Sequence, residues 1–284
     1  MDKVISKLMK TTKAPGDYTG ADGLLYCGKC RTPKQMRLGF NPATGKDDPT
    51  VVPTACQCQQ EAGQAADERD RREKFEARMK NLNSSGITCP GSLRHTFADD
   101  DGQRPEITAA CQRYVEHWDE MAEKNVGILF YGTVGTGKTF YAACIANALL
   151  DRQVTAAATS FPRLLNLLQG TPDKQKLLDS LARYKLLIID DLGVERDSTF
   201  GLEQIFNVVD ARSSAHLPVI VTTNLSMEEL KNPPSVQYGR IYDRVLEMCQ
   251  VPLKLTGDSR RKQNADNLRA WAQKVILGGT AVGG

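Results

Sequence analysis

The stretch Val126 to Leu150, VGILFYGTVGTGKTFYAACIANALL, changes pattern twice. VGILFY at 126–131 is a short apolar run of the kind a buried strand shows, and FYAACIANALL at 140–150 reads as a helix. Between them GTVGTGKT at 132–139 fits G-x-x-x-x-G-K-[ST] in the strand–loop–helix setting that gives the pattern its meaning. Each residue type has a task. Gly132, Gly135 and Gly137 let backbone N–H groups turn inward and cradle phosphate oxygens at a helix N-terminus. Lys138 can reach the β- and γ-phosphates, and the Thr139 hydroxyl can coordinate Mg2+. Gly132, Thr133, Val134, Gly135, Thr136, Gly137, Lys138, Thr139 and the adjoining Phe140 form the expected nucleotide-binding set. The alternative is a degenerate loop that keeps the spacing without the ligand.

Working outward, a second apolar run, LLIID at 186–190, ends in Asp190-Asp191-Leu192-Gly193. Four apolar residues and then a carboxylate place Asp190 at the carboxyl end of a strand beside the loop, where it can hold Mg2+. Asp191 can polarise an attacking water as general base; the competing reading of an Asp pair is a turn or cap. A third run, VIVTTN at 219–224, puts Asn224 at another strand end, able to orient the water or touch the γ-phosphate. VTAAAT at 154–159 is a further strand, with helices expected at about 161–168, 174–183 and 199–214. Upstream, Pro105 opens a helix through ITAACQRYVEHWDEMAEK, with Ile107, Cys111, Tyr114, Val115 and Trp118 on one face. The fold class is α/β, a parallel sheet flanked by helices with ligand groups at its carboxyl edge.

The amino-terminal third has another character. Cys27 and Cys30 form a C-x2-C pair, and Cys56 and Cys58 a C-x-C pair, separated by a stretch with Gly39, Pro42, Gly45, Pro49 and Pro53. So little apolar surface cannot hold a fold alone, whereas four thiolates around Zn2+ would close the loop and contribute folding energy directly. The site would be structural, with Lys29, Arg31 and Lys34 offsetting its charge; four free or buried thiols are the alternative. Residues 61–82, with six acidic and six basic side chains, read as a solvated linker helix stopped by Asn83-Ser84-Ser85-Gly86.

Composition bounds the rest. The chain has 284 residues, 40% hydrophobic and 25% charged, which excludes a disordered chain or a rod. A net charge of +3 does not by itself mark a nucleic-acid binder. No apolar run approaches the roughly 20 residues a bilayer requires, and MDKVISKLMKTTK lacks a signal-peptide core, so a cytoplasmic protein without membrane partners is expected.

Together GTVGTGKT at 132–139, IIDDLG at 188–193, PVIVTTNL at 218–225 and RIYDRVLEMC at 240–249 resemble the AAA+ ATPases of the DnaC/DnaI helicase-loader and IstB group, over residues 93–262. The cysteine-bearing segment is similar to that of loaders from phage and Gram-positive replication systems. The resemblance implies an ATPase that uses ATP and Mg2+ and carries Zn2+ in a small docking domain. It also implies self-assembly through AAA+ interfaces, and as partners a hexameric replicative DNA helicase and single-stranded DNA. By position in YDRV, Arg244 matches the arginine finger acting in trans, with Arg240 the lesser candidate; in TGDSRRK, Arg261 matches the sensor-2-like arginine, with Arg260 beside it. The 40 residues after Arg244 are too few for the separate helical lid of most AAA+ proteins. The expected domains are 1–60 zinc-binding, 61–92 linker, 93–263 ATPase, and 264–284 a last helix, packed on the core or a neighbour, with a disordered Gly-rich tail. Phe161, Arg163 and Lys174 are candidate single-stranded DNA contacts, although Phe161 with Leu164, Leu165 and Leu168 also reads as a buried stripe. Two other functions stay open: an IstB-like transposition helper ATPase on duplex DNA, and a non-hydrolysing ATP-gated adaptor.

Overall fold

Segments with few apolar residues and segments with many cannot be stabilised alike, and the chain divides on this line. The computed structural model describes residues 13–39, 47, 49–83, 87–88, 94–193 and 199–276. It separates into two compact units, Met1–Glu76 and Ala77–Gly284. The first holds two small antiparallel hairpins, β1 (Tyr18–Thr19) with β2 (Leu25–Tyr26) and β3 (Gln35–Leu38) with β4 (Thr50–Pro53). The sequence reading anticipates neither, because strands this short carry no period. Helix α1 (Gln57–Asn83) follows, longer at its start than the charge pattern suggested. The stop assigned to Ser84–Gly86, the turn residues Pro42 and Gly45, and the Gly-rich tail lie outside the described residues.

The second unit is three-layered. After a short 3-10 turn at Phe97–Asp99 come α2 (Pro105–Glu116) and α3 (Trp118–Glu123), separated at His117 where one continuous helix was expected. Then follow β5 (Ile128–Gly132), α4 (Lys138–Asp151), β6 (Ala156–Ser160), α5 (Phe161–Gly170), α6 (Lys174–Leu181) and β7 (Leu186–Leu192). The chain continues through α7 (Thr199–Ser214), β8 (Val219–Thr223), α8 (Met227–Lys231), α9 (Val236–Met248), β9 (Val251–Leu255) and α10 (Arg260–Ile276). The five strands are parallel, in the order β6-β7-β8-β5-β9. A parallel sheet must be covered on both faces, and the strand residues alternate accordingly. Leu129, Leu187, Ile189 and Val221 face a core shared with Phe161, Leu164 and Leu168 of α5, Ile205 of α7 and Val245 of α9. Ile128, Phe130, Ile188 and Ile220 face the other, shared with Cys111 and Trp118 and with Tyr141, Ile145 and Leu149 of α4. The five residues expected on one face from Ile107 to Trp118 are all buried.

Strand β9 is absent from the sequence reading. It lies at the sheet edge with Pro252 and the exposed Lys254, residue types that an edge strand tolerates and that hide a strand from pattern analysis. Arg212, fully buried, ties the opposite end of the sheet together. Its Nη1 donates to the carbonyls of Leu181 (3.1 Å) and Tyr184 (2.7 Å), its Nη2 to those of Lys185 (3.2 Å) and Pro218 (2.7 Å).

Among the described residues α10 is the one helix after β9, so no separate lid domain follows the sheet there. It does not pack its apolar side on the core: Leu268 is 63% and Trp271 62% exposed, and Val275 and Ile276 are exposed as well. Phe161 is 0% exposed, inside the α5 stripe, so its ring offers no face for a base. Arg163 is half-buried on the same helix, and Lys174 is exposed at the start of α6. No helix among the described residues is long and apolar enough to cross a membrane.

Candidate functional site

In open α/β sheets ligands bind at the carboxyl ends of the strands, and here a cavity of about 750 Å³ lies beside the loop between β5 and α4. Gly132 ends β5 with φ +126°, and a Cβ there would stand 2.1 Å from the Leu255 carbonyl oxygen. Only glycine lets the loop leave the sheet against β9. Gly135 and Gly137 line the cavity with Val134, Lys138, Thr139 and Phe140. Thr133 and Thr136 face away: the Thr136 hydroxyl is turned to the carbonyls of Thr133 (2.8 Å) and Leu255 (3.2 Å), and the Thr133 N–H donates to Leu255 (3.1 Å). The Lys138 ammonium donates to the carbonyls of Gly132 (3.0 Å) and Thr133 (2.7 Å). Burial lowers its pKa, with Arg261 adding to the effect and Asp191 and Asp190 opposing it.

The two aspartates part company at the end of β7. Asp190 Oδ1 accepts from Thr139 Oγ1 at 2.8 Å and from the Thr222 hydroxyl, so it is fixed against the start of α4. The strand then bulges between Ile189 and Leu192, and Asp191 takes φ +60°. A bulge re-aims a side chain, and this one turns Asp191 into the cavity wall. Its N–H is held by Thr222 Oγ1 at 3.1 Å. Burial, then the neighbouring Asp190 charge, raise its pKa against the pull of Arg261 and Lys138. Asn224, just past β8, and Arg261, in the first turn of α10, complete this side. The two arginines of TGDSRRK thus differ. Both line the cavity, but Arg261 bears on Lys138 and Asp191, whereas Arg260 Nη2 pairs with Asp101 at 2.8 Å and its guanidinium lies 5.8 Å from the Tyr141 ring centroid.

The far wall consists of His95, Asp99, Asp101 and Gln103, and the His95 and Phe140 rings lie 5.2 Å apart. The sequence reading missed these residues. Their one signal is the polar density of HTFADDDGQRP, and nothing local ties that segment to a loop some thirty residues on. Arg244 lies outside the cavity lining on α9, half-exposed and ion-paired with Asp210 (3.3 Å) and Glu247 (2.7 Å). The Arg240 guanidinium stands 4.4 Å above the Phe206 ring.

In the first unit the Sγ atoms of Cys27, Cys30, Cys56 and Cys58 lie within 4.8 Å of one another. Cys27 and Cys58 are 3.6 Å apart and Cys56 and Cys58 3.4 Å. Tetrahedral zinc with bonds of about 2.3 Å sets sulfurs about 3.8 Å apart, so the donor set fits. Backbone N–H groups of Cys30 and Lys29 point at Cys27 Sγ. The Thr32 hydroxyl, with backbone N–H groups of Cys58 and Thr32, holds the Cys30 thiol at about 5. Cys58, crowded by the other three sulfurs, is pushed up to about 12. Gly28 is required between the first pair, because a Cβ there would meet the Gly16 carbonyl oxygen at 2.1 Å. Lys34, expected simply to offset the thiolates, pairs at 2.6 Å with Asp17. That ion pair is buried, and Asp17 also accepts from the N–H groups of Ala14 and Gly28.

Residues 62–267 match the model of the IstB-like ATP binding protein family. The chain belongs to that family. A replicative helicase loader DnaC from Buchnera aphidicola subsp. Schizaphis graminum is 30% identical over 72% of the chain and 84% of its own length. The replicative helicase loader DnaI of Bacillus subtilis is 27% identical over 68% of the chain. The chain spans 65% of that relative's length. A crystal structure of DnaI superposes with a TM-score of 0.52 at 25% identity, covering 63% of this chain and 99% of the other. The expected AAA+ P-loop module agrees with these relatives and with the sheet described above, and the expected four-cysteine unit with the sulfur cluster of the first unit. The family match begins earlier than the expected residue 93 and takes in most of α1.

Proposed function

We propose that this protein is an ATP-dependent loader of a hexameric replicative DNA helicase onto single-stranded DNA, working in the cytoplasm. The observation that carries the reading is a phosphate loop with acidic, amide and arginine groups around one cavity, in a chain similar over most of its length to proteins named helicase loaders. Lys138 exchanges two loop carbonyls for the β- and γ-phosphates, charge-assisted bonds that also counter the burial lowering its pKa. Mg2+, when bound, neutralises γ-phosphate charge, and Thr139 and Asp190, already joined at 2.8 Å, are the residues to hold it. Asp191 accepts the proton of the attacking water, its raised pKa making it the stronger base, and Asn224 orients that water. Arg261 contacts the phosphates in the same subunit. Arg244 acts on a neighbour's nucleotide in a homo-oligomer, exchanging exposed ion pairs that contribute little. The unit carrying Cys27, Cys30, Cys56 and Cys58 around Zn2+ grips the helicase, and hydrolysis resets the loader. The domain limits at 60, 92 and 263 belong to this reading.

Light scattering coupled to size exclusion, on the full chain mixed with its host's replicative helicase, tests the proposal. A co-eluting complex, lost when Cys27 and Cys30 are replaced by serine, is expected. Absence of a complex with and without ATP would move the weight to the transposition helper, tested next by filament formation on duplex DNA. Lys138→Ala is expected to abolish ATP binding in a titration, and retained tight binding would remove the phosphate-cradle assignment.

A further inference from the structure

Two consecutive carbonyls of the phosphate loop are held from outside the loop. The Arg260 N–H donates to the Gly135 carbonyl at 2.9 Å, and Arg104 Nη1 donates to the Thr136 carbonyl at 2.6 Å. The second arm of the same guanidinium, Nη2, donates to the Thr256 carbonyl at 2.7 Å, in the turn that leads into Arg260 and Arg261. Arg104 is itself anchored. It precedes Pro105, which disfavours helical backbone at this position, and its carbonyl accepts from the N–H groups of Ile107 and Thr108 at 3.1 Å each. It therefore projects from the start of a helix whose Ile107 and Cys111 are buried in the core.

A trans peptide is planar, so its carbonyl and N–H point in opposite directions. Drawing the Gly135 and Thr136 carbonyls outward turns the N–H groups of Thr136 and Gly137 the other way. Thr136 is fully buried and its hydroxyl faces Thr133 and Leu255, which keeps these peptides from rotating. A phosphate needs such inward amides ready before it arrives, since ordering them on binding would cost affinity. We propose that Arg104 is a positioning residue for nucleotide: through the Thr136 carbonyl it sets the Gly137 amide of the phosphate loop, and it fastens that loop to the turn whose Arg260 N–H sets the Thr136 amide and which carries Arg261. The planar fork is what permits this, because one guanidinium reaches two carbonyls on two segments and a lysine ammonium is a single point on a flexible stem. The inference deepens the nucleotide reading above and rests on it.

The test is calorimetric titration of Mg-ATP into the full-length protein carrying Arg104→Met or Arg104→Lys, beside Lys138→Ala and with melting of each nucleotide-free protein. Losing a charged hydrogen bond to the loop is expected to raise the Kd about tenfold for methionine, and about threefold for lysine, which restores one of the two bonds. A merely structural role would lower the nucleotide-free midpoint while leaving the Kd of the folded protein unchanged. If the methionine variant does not fold, the lysine variant carries the test. Kd values within twofold of the wild type for the folded Arg104 variants, with Lys138→Ala binding none, would overturn this proposal alone. Wild-type ATP affinity in Lys138→Ala would instead remove the nucleotide reading on which it stands.

Discussion

The cysteine unit and the sheet unit differ in what surrounds their buried atoms. In the first, Cys27 and Cys56 are buried beside Leu25, and the hairpin residues Tyr18, Met36 and Val51 are exposed. In the second, two cores sandwich five strands, and even a guanidinium can be buried because four carbonyls receive it. A small apolar core leaves the fold dependent on coordinate bonds, whereas a large one tolerates the loss of a ligand.

The two units should differ most in their response to loss of the Zn2+ proposed for the four cysteines. A chelator, or Cys27→Ser with Cys30→Ser, is expected to unfold the first unit outright, because structural zinc contributes of order 10 kcal/mol to folding. Limited proteolysis should then cleave before residue 77 while the sheet unit keeps its melting transition. Within the sheet unit the largest effect is expected at Arg212. Arg212→Met leaves buried carbonyls of the loops before β7 and β8 without their donor, at about 1–3 kcal/mol for each group left unsatisfied, and should cost about 3–5 kcal/mol by denaturant unfolding, with zinc content unchanged. A smaller effect is expected at the capping box of α8, where the Ser226 N–H and hydroxyl hold the Glu229 carboxyl below the usual carboxylate range. A carboxylate with a depressed folded pKa stabilises above its unfolded pKa and loses that contribution as pH falls through the folded one. The difference in melting midpoint between the wild type and Glu229→Gln should therefore be present at neutral pH and close as the pH falls through the lowered pKa of the folded state. Least of all is expected from Trp271→Ala on α10, whose ring is already exposed, with a change within about 0.5 kcal/mol. A larger loss would mean that α10 packs its apolar side on the core, the first of the two packings expected for it, and an unchanged stability leaves that side to a neighbour.

The phosphate loop, the strand ends at Asp190 and Asn224 and the paired cysteines were legible because each is a short run of residue types whose meaning is local. The α7 helix at 199–214 matches its expected bounds, since an amphipathic segment between two strands leaves few alternatives. Phe161 shows the limit: stripe and base-stacking platform share one pattern, and only the packing against α5's neighbours decides it. The bulge that turns Asp191 into the cavity has no marker in IIDDLG, because it depends on where Thr222 of the next strand stands.

By itself the amino-acid sequence determined the α/β class, the phosphate-loop motif and the set of four paired cysteines, because local periodicity and fixed spacing suffice for these. The edge strand β9, the different partners of Arg260 and Arg261, the wall from His95 to Gln103, and the grip of Arg104 on two distant carbonyls were decided by tertiary structure alone. Each is a relation between segments far apart in the chain, and residue spacing carries no record of which carbonyl a side chain will reach.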